Sequence, residues 1–164
     1  MLHYQILVSR SMLIAVICCF FLPFVTVSCT SVPVKATASG INFITGTDVR
    51  VDTPDGPRVP GNKIYPDGKL IVALIASLIT LVVTFVKLPA RVHAIVITVG
   101  AGIGTLFFSM FKSAMDNEFR AQSSQLILTY EAGFWVAWLL LIATVAINLW
   151  MIYQISTTKM ILSP

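Results

Sequence analysis

Four apolar runs constrain this chain of 164 residues more than any other feature. They are residues 11–28 (SMLIAVICCFFLPFVTVS), 69–86 (KLIVALIASLITLVVTFV), 92–111 (VHAIVITVGAGIGTLFFSMF) and 130–153, which contains AGFWVAWLLLIATVAINLWMIY. Apart from their end residues, none carries a charge. About 18 to 20 such residues, rising 1.5 Å each, are enough to cross about 30 Å of hydrocarbon as a helix. Open strands leave backbone N–H and C=O groups unsatisfied in lipid, so the runs are expected as helices. The expected fold class is an all-α membrane protein, one domain over residues 1–164 with four transmembrane helices at 11–28, 69–86, 92–111 and 130–153. Outer loops cover 30–68, with a small β-hairpin, and 112–129.

Composition supports this. The chain is 57% hydrophobic and 11% charged, with mean hydropathy +0.88, where a soluble domain carries about 25% charged residues. A soluble fold of this size lacks an interior able to hide so much apolar surface. A net charge of +4 would suit nucleic acid, but the 11 basic residues are scattered, many of them at the ends of apolar runs, with no stripe and no interleaved aromatics. Nucleic acid is therefore excluded as a partner.

The first run has two readings, a secretory or lipoprotein leader ending near Cys29 or a helix kept in the mature chain. Residues 1–10 hold a single Arg10, the run is long for a signal core, and Thr26 stands where a lipoprotein site carries Leu. A retained helix is expected, kinked at Pro23 by the missing backbone N–H. Cys18 and Cys19 are adjacent within this run and read as small buried hydrophobes. Cys29 has no evident partner, and there is no CxxC.

With four spans, both termini share a side with the loop KLPARVH. That side holds Arg10, Lys87, Arg91 and Lys159 and no acid, whereas Asp48, Asp52, Asp55, Asp67, Asp116, Glu118 and Glu131 all fall opposite. Basic residues tight against helix ends place both termini in the cytoplasm, in a bacterial inner membrane. Trp135 and Trp138 at one end of the fourth run, and Trp150 and Tyr153 at the other, read as interfacial anchors. Between Trp135 and Trp150 lies about 22 Å of helix.

In the first outer loop, VRVDTPDGPRV reads as a hairpin turning at Pro54-Asp55-Gly56. Residues 32–37, 41–45 and 49–53 are β-prone, and Val34, Ile41, Phe43, Ile44 and Tyr65 are the expected contacts of this cap with the helix ends. The second outer loop is polar and free of Gly and Pro up to Ser123-Ser124. The third helix is expected to continue into it.

Gly100 and Gly104 stand at GxxxG spacing with Gly102 between, which calls for close approach of another backbone. Ala73, Ser77, Gly133 and Ala137 offer matching small faces. The partner is either this chain's own bundle, another subunit, or a lipid groove. Asn148 is the strongest polar residue in a run and reads as interhelical glue, while Thr80, Thr84, Thr98, Thr105 and Thr144 can bond their own helix carbonyls. His93 and His3 are weak candidates for a haem or chlorophyll ligand. No HExxH, nucleophilic triad or Walker loop is present. No catalytic residue, metal site or resident cofactor is expected; lipid contacts are.

LPFVTVSC followed by ATASGINFITGT resembles the first-helix exit of small bacterial four-helix membrane proteins of uncharacterised function. The resemblance covers residues 22–47 and implies the membrane fold without any chemistry. In outline the order of helices and loops is also similar to claudin-type proteins. The tryptophan and paired cysteines that mark the first loop of that family are missing, so its function is not carried over.

The expected function is a non-catalytic accessory subunit of a larger bacterial membrane complex, of which an energy-transducing complex is one kind, with other integral membrane subunits or a second copy as partners. The alternatives are a small oligomeric transporter or channel, and a haem- or pigment-binding membrane subunit.

Overall fold

The structure, a computed structural model, describes the backbone of residues 2–29, 35–46, 48–51, 59–122 and 126–162, and the side chains of residues 7–28, 35–46, 64–120 and 127–157. In chain order these form α1 (Leu2–Cys19), β1 (Pro23–Cys29), β2 (Lys35–Ser39), α2 (Gly40–Thr45), β3 (Asp48–Val51), β4 (Val59–Lys63), α3 (Gly68–Val83), α4 (Ala90–Gln122), β5 (Leu126–Tyr130) and α5 (Ala132–Leu162). The fold is mostly helical. Two helices, α4 and α5, are long and apolar enough to cross a membrane, and α1 and α3 are shorter apolar helices.

The first run is not one helix. α1 ends at Cys19, and three tight turns follow, Phe20 N–H to Ile17 O, Phe21 N–H to Cys18 O and Leu22 N–H to Cys19 O at 2.9–3.2 Å. Pro23 explains the stop. In a continued helix its ring would strike the Cys19 carbonyl four residues back, and it holds Leu22 out of helical geometry. The next residues, FVTVSC, alternate and are rich in β-branched side chains, so they form a strand where a kinked helix was expected.

That strand changes the fold class from all-α to a helical bundle carrying a sheet. β1 is the centre of an antiparallel sheet ordered β2-β1-β5. Thr26 lies opposite Thr37 on one side and Thr129 on the other. Residues 126–130, expected as loop and the start of the fourth span, are thus an edge strand, and α5 begins at Ala132. The β3–β4 hairpin pairs as expected, Val51 with Val59 and Asp48 with Lys63, while its turn lies outside the described residues.

Residues 41–45, expected as β-prone, belong to a short helix. Ser39 caps α2, its hydroxyl accepting from Asn42 N at 3.4 Å, and Gly46 ends it at φ +69°, a conformation that favours glycine. Asp67 caps α3 by accepting from Lys69 N at 2.7 Å. Two backbone bonds, Ile41 N–H to Phe20 O and Asp67 N–H to Phe43 O, tie α2 to the ends of its neighbours.

The four long helices form a ring in which α1 packs on α3, α3 on α4, α4 on α5 and α5 on α1. At the sheet end the core is aromatic. Phe20, Phe24, Phe108, Phe111 and Phe134 are wholly buried, with neighbouring ring centroids 5.3–6.2 Å apart. Gly40 and Gly133 permit this closeness, since a Cβ on Gly133 would stand 2.6 Å from Pro23 O and one on Gly40 2.9 Å from the Phe20 and Phe24 rings. The opposite end of the ring holds the 84–89 connection and is called the turn end below. Through the middle of the bundle the outward faces of the four helices are mostly aliphatic, with Ile14, Ile79, Val99 and Leu139 among the exposed residues.

Candidate functional site

The residues singled out by sequence divide between two places. Along the middle of the bundle the small residues meet one another. Gly100 lies against Thr80, whose Oγ1 would be 1.8 Å from an added Cβ, and Gly104 lies 3.4 Å from Leu141 and 3.6 Å from Ser77 Oγ by the same construction. Ala73, Ser77 and Ala137 are fully buried in this seam. The close approaches of Gly100 and Gly104 are therefore made to α3 and α5 of the same chain. Gly102 has nothing within 4 Å of an added Cβ, and Gly133 serves the β1 junction.

The five threonines do what their position allows. Thr80, Thr98, Thr105 and Thr144 donate to the carbonyl four residues back at 2.6–2.9 Å, and Thr84 donates to Leu81 O. Each hydroxyl is thereby satisfied within its own helix.

At the turn end a polar layer spans the bundle. Asn148 is fully buried; its amide nitrogen donates to Ser9 Oγ at 3.0 Å and Thr144 O at 2.8 Å, linking α1 to α5. Its oxygen Oδ1 has no partner, and neither does Nε2 of His93, a residue only 3% exposed. An orphaned buried polar atom costs on the order of 1–3 kcal/mol. Arg10 crosses from α1 to the end of α3, where Nε donates to Thr84 O at 3.1 Å, Nη2 donates to the same oxygen, and the guanidinium lies 4.6 Å over the Phe85 ring. A cation here satisfies a carbonyl that the helix end leaves free. Sequence reading missed Ser9 and Arg10 as partners because both contacts join residues more than 70 positions apart.

This layer joins α1 to α3 and α5. Among the described residues no group of three or more His, Cys, Asp or Glu side chains could hold a metal. A macrocycle on His93 Nε2 would require the surrounding helices to part. The side chains of His3 and Cys29 lie outside the described residues.

No family model matches this chain, and no curated protein matches it.

A second polar cluster lies at the sheet end, beyond the apolar part of α4 that closes with Phe111. Tyr130 O–H donates to Asp116 Oδ1 at 2.7 Å and lies 3.1 Å from Lys112 O, while Lys112 Nζ meets Asp116 Oδ2 at 2.7 Å and stands 5.1 Å from the Tyr130 ring centre. Burial, followed by the adjacent Asp116, pushes the Tyr130 hydroxyl above its usual range. For Asp116, burial pushes up, yet hydrogen bonds from Lys112 and Tyr130 and the charges of Lys112 and Arg120 together hold the carboxyl below its ordinary value. The spacing of Lys112 and Asp116, one helical turn, was visible in the sequence. The arrival of Tyr130 was not, because it depends on β5.

Of the aromatic anchors, Trp135 and Trp138 form a tilted pair near this end with centroids 5.7 Å apart, and Trp150 and Tyr153 lie exposed toward the turn end, 6.3 Å apart.

Proposed function

We propose that this chain is a four-span integral membrane protein of the bacterial inner membrane, termini cytoplasmic, that serves as a non-catalytic accessory subunit of a larger membrane complex. What carries the reading is the inside-out distribution of polarity. Buried Ser77, Thr80, Thr84, Thr144 and Asn148 point polar groups inward, while through the middle of the bundle the exposed surface of the long helices is mostly aliphatic and the exposed polar residues of α4 and α5 gather toward the helix ends. Scattered apolar residues are ordinary on a soluble surface, but a continuous aliphatic belt around a whole bundle suits lipid.

α1 and α3 belong in the same slab as α4 and α5 because they pack alongside them at the same depth, with Val72, Ile75 and Ile79 exposed beside Ile95, Val99 and Ile103. At 18 and 16 residues they span about 27 and 24 Å. Local thinning of the bilayer accommodates the difference.

Transport through the bundle is the weaker reading. The buried phenylalanine cluster closes the sheet end, and Arg10, the buried-layer cation, is engaged with Thr84 O. An apolar groove of about 400 Å³ between α3 and α4, lined by Val72, Ile75, Ile79, Ile95, Val99 and Ile103 among others, is the surface this reading assigns to a helix of the partner subunit. Membranes extracted in mild detergent should yield this chain co-migrating with a fixed set of larger subunits identified by mass spectrometry. Val99→Trp should fill the groove and deplete that set while leaving the melting temperature unchanged. A lone chain, or a homo-oligomer, would rule out the accessory role.

A further inference from the structure

Beside the Asp116–Tyr130 pair lies a pocket of about 300 Å³ lined by Ser109, Lys112, Ser113, Asp116, Asn117, Arg120 and Trp138. Its hydrogen-bonding inventory is lopsided. Six of its seven residues bring N–H or O–H donors, of which Ser109 Oγ is engaged with Thr105 O and Lys112 Nζ with Asp116, and Asp116, the single carboxylate, already accepts from both Lys112 and Tyr130. Arg120 makes no ion pair among the described residues, so the lining carries one uncompensated positive charge. On the α5 side the Trp138 Nε1–H is fully buried without an acceptor. Surplus donors, one net cation and an orphaned N–H call for a ligand made of acceptor oxygens with a single negative charge.

The geometry points to a phosphate-binding pocket, with Arg120 and Lys112 as its cations and Trp138 Nε1–H, which a turn of the indole would bring to the pocket wall, as a further donor. Two sources supply that chemistry, a phospholipid phosphodiester and free phosphate. Along α4 the pocket runs from Ser109 to Arg120, straddling the end of the apolar stretch at Phe111, which is the depth of lipid headgroups. Assigning the lipid as the source rests on the membrane reading above; the phosphate chemistry does not.

The test uses the full chain, stripped of lipid in detergent and titrated separately with dioleoylphosphatidylglycerol, with dioleoylglycerol, and with inorganic phosphate. Lipid adducts are read by native mass spectrometry and phosphate by tryptophan fluorescence. Phosphatidylglycerol should bind at least tenfold more tightly than dioleoylglycerol, which has the same chains and no phosphate. Arg120→Gln and Trp138→Phe, each removing one charge-assisted hydrogen bond, should weaken it by roughly tenfold, with unchanged melting temperatures showing that both variants fold. Inorganic phosphate binding with the same dependence on Arg120, in the absence of phosphatidylglycerol binding, would keep the pocket and remove the lipid source. Equal binding of the two lipids with no phosphate binding, or indifference of every ligand to both substitutions, would overturn the proposal.

Discussion

The two ends of the bundle are held by different physics. At the sheet end, five buried phenylalanine rings sit beneath a strand that is hydrogen-bonded on both sides, and Gly40 and Gly133 let the backbone close around them. At the turn end, a single layer of Ser9, Arg10, Thr84, Thr144 and Asn148 joins the helices through hydrogen bonds and leaves two polar atoms unpaired. The contrast teaches where strength and where specificity reside. Apolar packing at one end supplies most of the cohesion, and a polar layer at the other fixes register at some cost.

The comparison can be broken most forcefully at the sheet end. Phe108→Ala removes a ring that contacts Phe20, Phe24 and Phe134 and should cost about 3–5 kcal/mol in reversible unfolding. A smaller penalty than the same measurement gives at the turn end would invert the ranking. Between the ends, Gly100→Leu places a side chain where Thr80 Oγ1 already stands 1.8 Å from the first added carbon. The helices must separate, lowering stability by about 1–3 kcal/mol or more; a variant as stable as the parent would show that α3 and α4 are not in contact there.

At the turn end, Asn148→Leu gives up the bond to Ser9 but also removes an unpaired oxygen. The two effects offset, so a loss under about 1 kcal/mol is expected in detergent unfolding. The smallest effect is the pH response of the Asp116–Tyr130 pair. The carboxyl of Asp116 is depressed on folding, so its contribution is present above its unfolded value and fades as pH falls below about 4. Tyr130 is raised, so its contribution is present below about pH 10 and fades as pH climbs above it. A melting-temperature profile should show a plateau between these limits, and Asp116→Asn should flatten its acid edge.

Much of the fold was legible because its dominant signal is local. Apolar runs located α3, α4 and α5, the first run overlapped α1 only over residues 11–19, and the hairpin at 48–63 followed from alternation around turn residues. The errors lie where distant residues decide. Residues 23–29 carried a strand pattern inside an apolar run, and their partner 126–130 lies about 100 positions away. Residues 41–45 alternate well enough for a strand, yet Ser39 and Gly46 cap them into a helix. At the candidate site, Gly100 and Gly104 announced close packing without naming Thr80, Ser77 and Leu141 as what they meet. Arg10 read as an interfacial charge, because nothing local marks the Thr84 carbonyl as its acceptor.

Whether α3 crosses the membrane is the most direct test of the four-span account. With Cys18, Cys19 and Cys29 replaced by alanine, single cysteines at Tyr65 and Lys87 flank that helix, and both positions are exposed. A membrane-impermeant maleimide applied to intact cells should label Tyr65→Cys, and should reach Lys87→Cys only after the membrane is opened. Labelling of both positions from the same side would show that α3 does not span, and would reduce the protein to the two crossings of α4 and α5.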